Sequence, residues 1–173
     1  MSKNQSIVYF TEGETEQKFI KVMKTELQCI APGKIYVLNV LTHLISRARL
    51  NMIPYKSIVV LVFDTDVPHM RTDILDENIS FLRRYCAQVI TVPQVRNLEE
   101  ELVYSTDISN IEELLSSTSV KNFKNDFQRH KESAIRDALK NHHFRIEDLW
   151  IRTPEKPYDR YYMGISQLKI NSR

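Results

Sequence analysis

Four apolar runs, each followed by a stretch with helical spacing, organise the first hundred residues. Ser6 to Phe10 (Ile7, Val8, Tyr9, Phe10), Lys34 to Val40, Ser57 to Phe63 and Ala87 to Val92 read as strands, the last ended by Pro93. Ser57 to Phe63 is apolar throughout, the signature of a strand buried on both faces. Between the runs, Phe19, Ile20, Met23 and Leu27 recur at the spacing of a helix that starts near Glu14 and is broken by Pro32-Gly33. Leu41, Leu44, Ile45 and Ala48 predict a second amphipathic helix before Pro54, and Leu75, Ile79, Leu82 and Cys86 a third from about Thr72. The order β-α-β-α-β-α-β argues a small parallel sheet of about four strands, flanked by helices on both faces. Helical patterns then cover 97–104, 110–115, 120–131 and 132–142, and the proline-bearing tail after Trp150 reads as irregular.

Composition adds boundaries. At 173 residues, with 42% hydrophobic and 27% charged positions, the chain reads as one domain: a core over 6–104, and a helical appendage with a tail over 105–173. Cys29 and Cys86 are isolated, so a reducing, cytoplasmic setting is expected. No apolar run approaches membrane-spanning length, and no membrane partner is expected. A net charge of +2 permits a polyanionic partner without demanding one.

The chemistry concentrates in two acidic turns. Thr11-Glu12-Gly13-Glu14-Thr15-Glu16 follows the first strand, with Gly13 read as the turn residue, and Asp64-Thr65-Asp66 follows the third. In an open parallel sheet, ligands bind beyond the carboxyl ends of the strands. Glu12, Asp64 and Asp66 would meet there, joined by Glu16 one helical turn on from Glu12. Crowded carboxylates raise one another's pKa unless a cation sits among them. All-oxygen ligands favour Mg2+ or Mn2+ over zinc. The plainer reading is that acidic residues favour helix starts, and Thr11-x-x-Glu14 also fits a capping box.

Glu12-Gly13 after strand one and Asp64-x-Asp66 after a later strand resemble the Toprim domain, found in topoisomerases, bacterial primases and OLD-family nucleases. The fuller Glu12-Gly13-Glu14-Thr15-Glu16 is closer to the OLD-like and anti-phage-defence branches. The resemblance spans roughly Ser6 to Tyr104. It implies a Rossmann-like fold in which Glu12, Asp64 and Asp66 handle divalent metal, Glu16 adds a ligand, and a later glutamate opens a helix. Glu99 suits that place, with Glu100 the alternative, since neighbouring helical residues point about 100° apart. The same branch uses a downstream basic residue to neutralise developing charge, which suggests Lys124. No GxxxxGK[ST] loop is present, so control by a separate regulatory or ATPase protein is expected.

These readings converge on metal-dependent hydrolysis of a phosphodiester in DNA or RNA. For substrate contacts the tail is the candidate: Arg152, Lys156, Arg160 and Tyr161 belong to a stretch with five basic residues against two acidic, interleaved with tyrosines. The alternative is that these tyrosines pack on the helices. A haloacid-dehalogenase-like phosphatase is one rival, with Asp64 as nucleophile and Asp66 as acid, although that loop normally follows a first strand. A non-catalytic Toprim-like binding module is the other. His69, three residues after the aspartate pair, reads as a solvated loop histidine, with a role at the site the alternative, and His142-His143 as cations near a helix end.

Overall fold

The computed structural model describes residues 5–66, 72–162 and 165–170. Its strands are β1 (Ile7–Thr11), β2 (Lys34–Val37), β3 (Ile58–Asp64) and β4 (Gln88–Gln94). The helices are α1 (Glu14–Thr25), the single turn α2 (Arg47–Leu50), α3 (Asp73–Arg83), α4 (Leu98–Tyr104), α5 (Val120–Arg129) and α6 (Glu132–Asn141). Short 3-10 turns lie at Ile111–Leu115, Tyr158–Tyr161 and Ile165–Gln167. The strands form one all-parallel sheet in the order β2-β1-β3-β4, as expected of an α/β Rossmann-like fold.

Alternation along the strands builds two cores. Ile7, Tyr9, Ile58, Val60, Val62, Ile90 and Val92 point to one face. There α1 (Phe19, Ile20, Met23), α4 (Leu98, Leu102), α5 (Phe123, Phe127) and α6 (Ile135, Leu139) close over them with Trp150. Val8, Phe10, Val59, Leu61 and Phe63 point to the other, under α3 (Leu75, Ile79, Leu82), the loop from Leu38 to Ile53, and Tyr158 and Tyr161. The helical second half is therefore the lid of the first core.

Four boundaries differ from expectation, each for a local reason. The helix expected over Leu41–Ala48 shrinks to α2, because side chains satisfy this segment's backbone instead. Asn39 Oδ1 accepts the N–H of Leu41 and Thr42 at 3.0 and 3.2 Å, an Asx turn that also ends β2 at Val37 rather than Val40. The buried Asn78 accepts the Ile45 N–H and donates to the carbonyls of Val40 and His43. β4 runs through Pro93 to Gln94, tolerable because it is an edge strand and a proline there costs no central ladder. The helix expected over 120–131 ends at Arg129, where His130 and Lys131 turn extended and lead into α6.

Close approach explains Gly33, the residue before β2. A Cβ there would stand 2.5 Å from the Ile7 carbonyl oxygen, so only glycine lets β2 lie against the start of β1.

The tail crosses the end of β4 and is pinned by a buried ion pair. Glu101, fully buried, receives the N–H groups of Val95 and Trp150 at 2.8 and 3.1 Å, and the Arg152 guanidinium at 3.1 Å. Substituting Glu101→Ala strands a half-buried guanidinium and two backbone donors. The expected cost is about 3–5 kcal/mol, or a melting-temperature drop of roughly 2–4 °C per kcal/mol. Thermal unfolding of the variant checks this, and an unchanged midpoint would remove the clamp from the account.

Candidate metal-dependent active site

The strand order sets the position of the site. From β1 the chain moves outward to β2 and then returns past β1 to β3, so the direction of winding reverses between β1 and β3. Helix α1 leaves β1 on one face and α3 leaves β3 on the other. The two strand ends thus bound a crevice, the usual ligand position in such sheets. Glu12 follows β1 directly and Asp64 ends β3.

These two residues meet. Glu12 Oε2 accepts the Asp64 backbone N–H at 3.3 Å, and its Oε1 accepts the Asn39 side-chain amide at 2.7 Å. Glu12 therefore ties together the carboxyl ends of β1, β2 and β3. Glu16 is buried in the first turn of α1. Gly13, although the cap of that helix, has φ −137°, an extended conformation open to any residue. Its glycine character matters for space instead: a Cβ there would come within 2.8 Å of Glu16 Oε2.

From the other side, Asn97 caps α4 by accepting the Glu100 N–H, which orients the three glutamates that follow. Glu99 is buried and pairs with Lys124 Nζ of α5 at 3.1 Å. Glu100 instead faces solvent toward Arg96, 3.8 Å away, and Glu101 turns inward to the tail clamp. Of the two alternatives, Glu99 is the one on the acidic edge. Asp66 lies exposed on the loop after β3, with His69 outside the described residues.

The electrostatics follow from crowding under partial burial. Burial, and then the charges of Glu16, Glu12, Asp66 and Glu99, push the Asp64 carboxyl up to about 9. Burial likewise raises Glu12 and Glu16 above the usual carboxylate range. Burial opposes the charge on Lys124, but Glu99, Glu16 and Asp64 outweigh it and raise its pKa. One ammonium thus faces at least four acids. Asp64 Oδ1 is buried with no hydrogen-bond partner among the described residues. Beside it in register, the buried side-chain amide of Gln94 is also unpartnered among them.

A divalent cation fits this donor set in chemistry: hard oxygens, excess negative charge and an orphaned buried acceptor. As the side chains lie, no group of three or more carboxylate, histidine or cysteine residues among the described residues is arranged to hold a metal ion. Glu12 is engaged by Asn39 and the Asp64 N–H, and Glu99 by Lys124. Binding would have to draw both from these partners.

The tail residues expected to touch nucleic acid are placed otherwise. Arg152 is committed to Glu101 and lies over the Tyr104 ring. Arg160 pairs with Asp76 at 2.9 Å and covers the Tyr161 ring. Tyr161 is buried edge-on to Phe63 and donates its hydroxyl to Asp76, so it offers no face for a base. Lys156 alone of the four is exposed without such a bond among the described residues. Sequence reasoning missed Asn39, which it had inside a strand. Its signal was an asparagine shortly after a strand, level with the first acidic turn.

The chain matches no protein-family description, no curated protein and no solved structure. Among the described residues, no helix is long and apolar enough to cross a membrane.

The raised Asp64 pKa sets a pH dependence. Because its folded value lies above the unfolded one, the folded state holds the extra proton. That contribution to stability is complete below pH 4 and is lost as pH climbs towards 9. Asp64→Asn, which cannot ionise, therefore gains on the metal-free parent as pH rises. At pH 8 it melts higher, by roughly 2–4 °C for each kcal/mol of repulsion removed. Melting curves of both proteins from pH 4 to 9 in chelator test this, and parallel curves would contradict it.

Proposed function

We propose that this protein is a divalent-metal-dependent nuclease of Toprim-like type, hydrolysing phosphodiester bonds in DNA or RNA. The observation that carries the reading is the convergence of Glu12, Glu16, Asp64 and Glu99, with Lys124 among them, at the crevice where the sheet reverses its winding. Carboxylates from four separate elements do not gather under partial burial for solvation, since each raises the cost of ionising the next.

Glu12, Glu16, Asp64, Asp66 and Glu99 would hold Mg2+ or Mn2+. Such an ion, when bound, would supply activation of a water and neutralisation of charge on the reacting phosphate oxygens. The chain's residues do the rest. Asn39 orients the Glu12 carboxylate through its 2.7 Å bond. Lys124, on a helix opposite the strand ends, brings an ammonium to bear on charge growing at the phosphate. Thr65 fixes the loop carrying Asp66: its hydroxyl donates to the Gln94 carbonyl and accepts the Arg96 N–H.

The test is cleavage of DNA and RNA by purified protein with magnesium or manganese, beside Glu12→Ala and Asp64→Ala. The parent is expected to cut and to stop in chelator, and both variants to fall by at least about 100-fold. Equal cutting by all three would assign the activity to a contaminant. Rapid turnover of a small phosphomonoester without nucleic-acid cleavage would favour the phosphatase reading. In a calorimetric manganese titration, Glu99→Gln is expected to weaken binding by roughly 10–100-fold, and Glu100→Gln to leave it unchanged. The reverse order would exchange their roles.

A further inference from the structure

Between Glu26 and Asp64 the chain has no acidic residue at all, while Lys34, Arg47, Arg49 and Lys56 fall within that interval. The structure turns part of it into one surface. The segment from Leu38 to Ser57 lies over the face of the sheet that α3 covers only in part. There it exposes Leu44 (51%), Met52 (50%) and Tyr55 (80%) with Arg47 and Lys56. Among the described residues, Arg47, Arg49 and Lys56 form no ion pair, in contrast with Arg152 and Arg160 of the tail. Glu77 of α3 borders the same cleft as Arg47.

This surface reaches the catalytic edge. Arg49 donates to the Val37 carbonyl at 3.2 Å, at the end of β2 where Val37 pairs with Thr11, one residue before Glu12. Below it a cleft of about 340 Å³ opens between Phe10, Tyr36, Arg49 and Met52. A second, of about 320 Å³, lies between Leu50, Ile53, Tyr55 and Tyr85 at the start of β3. The Lys56 ammonium stands 5.4 Å from the Tyr55 ring centre. Arg47 and Arg49 thus border separate clefts on either side of α2, and Lys56 lies beside the exposed Tyr55 ring at a third.

We propose that this cationic face is the substrate channel, binding a single-stranded stretch of nucleic acid. Arg47, Arg49 and Lys56 neutralise phosphates, Tyr55 stacks on a base, and the strand runs past the end of β2 to Glu12 and Asp64. The inference rests on the nuclease reading for its direction. Phosphate neutralisation and sequence-tolerant stacking are what such a surface supplies, and Arg49 brings it to the end of β2 beside Glu12.

Binding of fluorescent single-stranded DNA and RNA is measured by anisotropy in calcium over a range of salt, for the parent, Arg47→Glu/Lys56→Glu and Tyr55→Ala. Hydrolysis of bis(p-nitrophenyl) phosphate in manganese is followed in parallel, and melting confirms that each variant folds. The double variant is expected to lower the salt slope by about 1.4, the share of two phosphate contacts on a single strand. Tyr55→Ala is expected to weaken binding by about 5- to 150-fold. Turnover of the small diester should be unchanged in both. Unaltered binding in the variants, no binding by the parent, or a parent dimer that Tyr55→Ala splits without any nucleic-acid affinity would each overturn the channel. Loss of binding in the variants with no diester hydrolysis by the parent would keep this surface and sink the nuclease reading instead.

Discussion

Mutual repulsion among carboxylates at the strand ends is the constraint to which the local structure answers. Glu12 is held by an amide and a backbone N–H, Glu99 by an ammonium, and Glu16 sits in the space that Gly13 leaves open. Each device offsets part of a charge that burial would otherwise forbid. None neutralises the whole, and Asp64 is left with an unpartnered buried oxygen and a carboxyl that holds its proton into the alkaline range. Unbalanced charge is therefore concentrated at this one edge of the fold.

Much of this was legible in the amino-acid sequence because the two periods are strong. The unbroken apolar runs of β1 and β3 required a sheet covered on both sides, and spacing alone marked α1 and α3. The acidic turns were visible because each interrupts such a run. What escaped was decided by side chains bonding to distant backbone. The periodicity of Leu41, Leu44, Ile45 and Ala48 is real, but Asn39 and Asn78 offer the backbone better partners than a helix would, and no local pattern reveals Asn78 reaching back more than thirty residues. Glu99 and Glu100 were separable only once the Asn97 cap fixed the phase of α4.

The tail teaches the complementary lesson. Counting basic residues after Trp150 suggested a nucleic-acid surface, but counts ignore what each guanidinium faces. Arg152 and Arg160 find acids from earlier in the chain, whereas Arg47, Arg49 and Lys56 form no ion pair among the described residues. Charge that is already satisfied inside the fold cannot also steer a ligand. A smaller number of unpaired cations makes the stronger field.

Gly33 gives the sheet a remote lever on its own chemistry. Any side chain there would drive a wedge between β2 and the first residue of β1, at the end of the strands farthest from the carboxylates. β2 is only four residues long and would move as a short rod, carrying the Asn39 turn with it. The Glu12 carboxylate would then lose its orienting amide although nothing near it had changed. Misalignment of the acidic edge would arise a full strand length away, by mechanical displacement rather than by any alteration of charge.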